Sequence, residues 1–247
     1  DLGGFTPFLY AFDDREQILD LLDTVSGSRL TYSYCRFGGV TRDIDSAFVD
    51  QARAFLARMA TRWADYDSLV TKNIIFINRT RDVGVIDREL ARQYGVTGPN
   101  ARACGINFDV RRAEPYEVYD RFDFEVPLGA RGDALDRYYV RFKEMQQSCR
   151  IIEQALSKLP AGPFMAGGVP ARIKPPRGEV YFPFESARGL TAYYIVSDGS
   201  TNPYRVHIRV PSFGNLNVLV EVLPETLVAD AISILGSIDV VIPEIDR

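Results

Sequence analysis

GDALDRYYVRFKEMQQSCRIIEQALSKLP, residues 132–160, repeats apolar side chains in steps of three and four: Leu135, Tyr138, Phe142, Met145, Cys149, Ile152, Leu156 and Leu159. That spacing lines them along one stripe of an α-helix of about seven turns. Gly132-Asp133 stands before the helix, and Pro160, which has no N–H to donate and clashes with the preceding turn, stops it. Arg137, Arg141, Lys143, Glu144, Arg150 and Glu153 fall off the stripe, so they are expected to be solvated or to meet a partner.

The same periodicity recurs upstream. Phe48, Ala52, Phe55, Leu56, Met59, Trp63, Tyr66 and Val70 predict a second long helix, with Asp43 and Asp45 placed to cap it. Phe8, Phe12, Ile18, Leu19 and Leu22 predict a third, ending near Val25 before Gly27. Between residues 73 and 131 glycine and proline recur and turns dominate, apart from a short helix from Asp87 to Tyr94. Residues 160–178, PAGPFMAGGVPARIKPPRG, read as a connector. After it, residues 179–185, 190–197 and 204–210 carry strand signals, and the last two flank the turn-forming DGSTNP, a β-hairpin. Two short helical pieces, 215–222 and 224–235, close the chain. The expected class is α+β, mainly α, with a small antiparallel β part near the C-terminus, in a single domain over residues 1–247.

Composition narrows the function. The 247 residues carry a net charge of −4 with both signs interspersed, so no clustered basic face speaks for nucleic acid. Cys35, Cys104 and Cys149 are odd in number and far apart, which favours a reducing compartment and leaves no ligand set for a zinc or iron–sulfur site made by this chain alone. They are expected to be buried or half-buried thiols. No apolar run reaches the roughly 18 residues a spanning helix needs, so any membrane contact would come through partners. Asp1 in place of an initiator Met suggests a fragment of a longer chain.

Catalytic signatures are scarce. No P-loop, GxGxxG or HExxH occurs. His207 sits in VHIRV with no nucleophile beside it, so a surface strand position is favoured over catalysis. Arg29, Arg36, Arg79, Arg81, Arg102, Arg111 and Arg112 punctuate the loops, often near glycine. Their planar forks suit paired contacts with carboxylates at an interface, and surface salt bridging is the plainer alternative. Asp1, beside Gly3-Gly4, reads from its position as a helix cap.

Seven blocks in order resemble one family: residues 1–23 (DLGGFTPFLYAFDDREQILDLLD), 26–40 (SGSRLTYSYCRFGGV), 98–112 (GPNARACGINFDVRR), 114–133 (EPYEVYDRFDFEVPLGARGD), 137–156 (RYYVRFKEMQQSCRIIEQAL), 193–213 (YYIVSDGSTNPYRVHIRVPSF) and 236–247 (GSIDVVIPEIDR). The family is that of the D subunit, the 49 kDa-type subunit, of respiratory NADH-quinone oxidoreductase (complex I). The resemblance implies a long-helix bundle related to the large subunit of [NiFe] hydrogenases. It implies work inside a proton-translocating assembly with the B, C, H and I subunits, with the terminal iron–sulfur cluster in a partner and NADH bound by others. Quinone would be the substrate, and the chain alone would be inactive. The expected location is peripheral, on the cytoplasmic side of a bacterial inner membrane or the matrix-type side of another energy-transducing membrane. In the family an Asp of a (A)LDLGAxTPF block pairs with a His of the quinone site, and Asp1 aligns with it. That His and a companion Tyr belong to segments N-terminal to this sequence. Arg29, Thr31 and Arg36 fall in a block near the quinone site and the cluster.

The chain departs from the pattern. Many relatives have a His where Thr31 stands, many have a Glu where Leu190 stands, and the connector is short. These differences suggest a compact variant whose electron donor need not be NADH. A non-catalytic scaffold is one alternative. A [NiFe]-hydrogenase large subunit is another, but IPEIDR stands where its terminal cysteine motif would fall.

Overall fold

The computed structural model describes residues 2–246, which gather into two compact units. One comprises Gly3–Asn73 with Ile151–Arg172; the other comprises Leu2, Ile74–Arg150 and the chain from Ile173 onward.

The first unit is built on two helices. α1 (Phe5–Ser26) ends where Gly27 turns left-handed and its N–H returns to the Asp23 carbonyl at 2.8 Å. A two-residue hairpin follows, β1 (Cys35–Arg36) with β2 (Gly39–Val40). α2 (Ser46–Tyr66) is capped by Asp45, whose Oδ1 accepts from the Phe48 N–H at 2.8 Å. Asp43, the other expected cap, instead accepts from the adjacent Ile44 N–H. A π-helical turn, Asp67–Thr71, extends α2. The connector is pinned to the hairpin: Val40 donates to the Phe164 carbonyl at 3.1 Å and Ala166 to that of Gly38 at 2.8 Å. A Cβ on Gly39 would stand 2.1 Å from the Phe164 oxygen, so only glycine allows this approach.

The second unit begins with α3 (Ile74–Thr80), α4 (Arg88–Gln93, capped by Asp87), α5 (Pro99–Ala103) and α6 (Val110–Ala113). All four lie within the stretch expected to be mostly turns, where only α4 was expected as a helix. Each is short, and α5 and α6 carry apolar residues too few to repeat, so periodicity has nothing to register. α7 (Ala134–Ser157) is the helix read from residues 132–160; its last residues belong to the first unit. Three antiparallel strands follow in the order β3 (Gly178–Ser186), β4 (Gly189–Ser197), β5 (Arg205–Arg209). The chain then forms α8 (Pro211–Asn217), α9 (Leu219–Val222), α10 (Val228–Ile238) and α11 (Ile242–Ile245). Ile86, Ala91, Val96, Ala101, Cys104, Val218, Val222, Ile234 and Ile238 make the apolar core. Helices with a small antiparallel sheet agree with the α+β, mainly α class. Among the described residues no helix is long and apolar enough to cross a membrane.

The charged side of α7 needs correction. Lys143, Arg150 and Glu153 are exposed as expected, but Arg137 is buried and Arg141 half-buried. Arg137 donates from Nε to Ser237 Oγ at 2.9 Å and from Nη1 to the Gly132 carbonyl at 2.8 Å. Arg141 donates to the Ser237 and Ile238 carbonyls and to Asn100 Oδ1, at 2.6, 3.1 and 3.0 Å. Ser237 and Ile238 end α10, where carbonyls lack helical partners and the helix dipole is negative. Arg141 therefore caps the carbonyls that end α10 from a neighbouring helix, and Arg137 holds the Ser237 hydroxyl beside them. Burial, and then Arg141 nearby, depress the Arg137 pKa to about 10, which leaves it charged at neutral pH.

A further buried arginine ties the sheet to the helices. Arg102 of α5 bonds Glu144 of α7, Glu185 of β3 at 2.8 Å and the Phe108 carbonyl at 3.0 Å. Arg111 grips Asp109 with two bonds of 3.0 and 2.7 Å. Burial lifts the Glu185 carboxyl, with Arg102 opposing the rise.

Asp133 starts α7: Oδ1 accepts from the Asp136 N–H at 2.7 Å and Oδ2 from the Asp82 N–H at 2.8 Å, with the residue fully buried. Asp133→Ala leaves two donors without acceptors and is expected to cost about 2 kcal/mol in urea denaturation. Asp133→Asn, which keeps an acceptor oxygen, should cost less; equal losses would contradict the capping role.

Candidate functional site

The segment between α1 and α2 carries Arg29, Thr31 and Arg36, so three of the sequence-derived site residues share one loop and hairpin. Asp1 lies outside the described residues. Leu22, Val25 and Ser26 of α1 and Tyr32, Ser33, Tyr34 and Cys35 of the loop line a shallow cleft of about 360 Å³. Its walls are mostly apolar and aromatic, with hydroxyl and thiol groups among them. Such a surface can take a flat apolar ring or a partner's side chains.

The three residues differ in what they can offer. Arg29 turns back onto α1 and pairs with Glu16 and Asp20, so its charge is already matched. Arg36 touches Ser33 Oγ and the Cys35 carbonyl and makes no ion pair among the described residues. Thr31 has φ 53°, a left-handed backbone that costs a β-branched residue about 1–3 kcal/mol. Its hydroxyl reaches only the Leu30 carbonyl, at 2.7 Å. The loop is held from outside by Tyr34, whose hydroxyl donates to the Arg42 carbonyl at 2.7 Å.

Cys35 is exposed, against the expectation of a buried or half-buried thiol; Cys104 is buried and Cys149 half-buried. Burial pushes the Cys104 thiol up to about 11. His207 lies exposed on β5, as a surface strand residue. Among the described residues no group of three His, Cys, Asp or Glu could hold a metal ion.

Sequence reading misses a polar ladder between α1 and α2. Asp14, only 4% exposed, accepts from Arg58 Nε at 2.8 Å, Arg62 Nε at 3.2 Å and Tyr66 Oη at 2.7 Å. Asp13 bridges the same two arginines. The Arg62 guanidinium also lies 4.7 Å over the Tyr10 ring. Arg58, Arg62 and Tyr66 recur every four residues, which is the available signal, although Tyr66 also fits the apolar stripe. With this polar side turned inward, Phe5, Phe8 and Phe12 of α1 are exposed.

Burial raises the Asp14 pKa, but the bonds from Tyr66, Arg58 and Arg62 outweigh it and hold the carboxyl below its ordinary 3.8. A depressed carboxyl contributes stability that is full above the unfolded value and lost as pH falls through the folded one. Asp14→Asn should therefore flatten the loss of stability below about pH 4 and lower the urea midpoint at neutral pH. An acid limb as steep as that of the parent chain would contradict this assignment.

Comparison with known proteins matches the chain over residues 1–171 and 167–247 to the family described as the respiratory-chain NADH dehydrogenase 49 kDa subunit. A protein of Syntrophobacter fumaroxidans, named as the D subunit of NADH-quinone oxidoreductase, is 75% identical over all 247 residues, which cover 66% of that protein. Proteins of the same name from Desulfotalea psychrophila and Desulforamulus reducens are 53% and 50% identical, with 66% and 67% of their lengths covered. The chain thus spans about two thirds of the length of the curated relatives it matches. With the ordered blocks from residue 1 to residue 247, the α+β fold and these identities, the chain belongs to the family of the 49 kDa subunit of respiratory-chain NADH dehydrogenase.

Proposed function

We propose that the chain, as part of its full-length protein, helps build the quinone-reduction site of a proton-translocating NADH-quinone oxidoreductase. The observation that carries this reading is membership of the family across the whole chain, including the block that opens with Asp1. The long helices are compatible with a hydrogenase-large-subunit-like bundle. The B, C, H and I subunits would be the neighbours, with the cluster, the NADH site and the membrane contact all supplied by partner chains. The expected place is the cytoplasmic side of a bacterial inner membrane.

Quinone takes two electrons and two protons to become quinol. The partner's cluster, when bound, would supply the electrons. The protons come from an upstream Tyr and His, and the Asp1 carboxylate favours the protonated imidazole by its charge. Asp1→Asn in the full-length assembled protein should lower turnover with natural-length quinone while leaving assembly intact. Unchanged turnover would remove Asp1 from the mechanism.

The loop residues act on electron arrival rather than on protons. A thiolate-bound cluster is anionic, and a cation nearby stabilises its reduced form. Arg36 is the more available of the two loop arginines for this, because Arg29 is matched by Glu16 and Asp20 while Arg36 makes no ion pair among the described residues. Thr31 cannot titrate, so it takes no part in proton transfer. Arg36→Met should lower the midpoint potential of the terminal cluster in redox titration of the assembly, and Arg29→Met should move it less. The reverse order would contradict the role given to Arg36. A non-catalytic scaffold would show neither effect.

A further inference from the structure

The sheet β3–β4–β5 sorts its side chains by face. One face shows two cross-strand rows, Val180–Ile195–Val206 and Phe182–Tyr193–Ile208, without a charge among them. The opposite face shows Glu179–Val196–Arg205 and Tyr181–Tyr194–His207. Alternation of this kind marks a sheet with one face meant to be covered. Yet Val180 is 52% exposed, Phe182 48%, Val206 45% and Tyr193 37%. The inner ends of the strands are different: Ala192 and Thr191 are buried. Phe182 meets the Tyr116 ring edge-on at 6.0 Å at the border of the packed part, and from there the apolar rows run onto the outer half of the sheet, where they remain largely exposed.

Shape and charge narrow the occupant. Three strands spaced about 4.8 Å apart give a strip about 10 Å wide, the diameter of a helix with its side chains. Pro183 removes a donor from the outer strand β3, which disfavours addition of a fourth strand at that edge. At the outer end of the sheet, the segment entering β3 carries the exposed Lys174 and Arg177. Ser197 Oγ donates to the Pro175 carbonyl at 3.3 Å and holds that segment beside the end of β4. Neither Lys174 nor Arg177 makes an ion pair within 4 Å among the described residues, in a chain whose net charge is −4. Asp198 feels Arg177 but accepts from the Ser200 N–H at 2.8 Å instead of pairing with it.

We propose that the Val180–Phe182–Tyr193–Val206 face docks an amphipathic helix of another subunit, its apolar stripe on the two rows and its acidic flank against Lys174 and Arg177. The proposal rests on the reading that the chain works inside a multi-subunit assembly. It adds the surface, the partner's local structure and the sign of its charge. An interface with an apolar centre and a charged rim is the usual anatomy of such a contact.

Photo-crosslinking in the full-length protein, assembled in native membranes, tests it. The photoreactive residue p-benzoylphenylalanine would replace Val206, and in a control His207 on the opposite face, with adducts mapped by mass spectrometry. The expected result is an adduct from position 206 to an amphipathic helix of a different subunit with Asp or Glu at its flank, and none to that helix from position 207. Lys174→Glu with Arg177→Glu should lower the adduct yield by about tenfold. Within an intact assembly, an adduct to a second copy of this chain, to its own residues or to lipid, or no adduct at all, would overturn the proposal. Failure to recover any assembly would overturn the functional reading beneath it.

Discussion

Burying a guanidinium is costly, a cost that each acceptor found for its N–H groups reduces, and arginine placement organises both units of this chain. In the larger unit, Arg137 and Arg141 of α7 take up the carbonyls and hydroxyl that end α10, and Arg102 draws α5, α7 and β3 to one point. In the other, Arg58 and Arg62 of α2 close on Asp13 and Asp14 of α1. Such contacts contribute less net stability than their gross strength suggests, because each charge is desolvated. Their effect is geometric. A planar fork meets its acceptors in few orientations, so helices joined this way have a defined register.

The same constraint separates what is legible in the sequence from what is not. Long elements are legible because periodicity reports an apolar face: α1, α2, α7 and the β4–β5 hairpin all lie where spacing and turn residues place them. Arginine on α7 reads as facing outward because charge correlates with exposure, and no one-dimensional pattern marks the carbonyls of α10 as waiting for a donor. The α1–α2 ladder is hidden for the same reason. Tyr66 fits an apolar stripe by spacing, and only the fold shows its hydroxyl on Asp14. The short helices α3, α5 and α6 are lost in a stretch rich in glycine and proline. Of the site, the residue order places Arg29, Thr31 and Arg36 in one block, but not that Arg29 is already paired with α1 while Arg36 is not.

α1 buries Asp14 in its first half and Leu19 and Val25 in its second. Because its polar side meets α2, the aromatic side chains Phe5, Phe8 and Phe12 are left exposed in the block that opens with Asp1. The cleft at the other end of α1 is walled by Tyr32 and Tyr34. Exposed aromatic side chains of this kind offer a surface for a partner or for another part of the full-length protein.

Membership of an assembly is therefore the claim on which the rest turns. The direct measurement is purification of the full-length tagged protein from native membranes, with the accompanying chains identified by mass spectrometry. The predicted result is a cluster-bearing small subunit together with proton-translocating membrane subunits. A nickel-containing pair, or no redox partner, would contradict it.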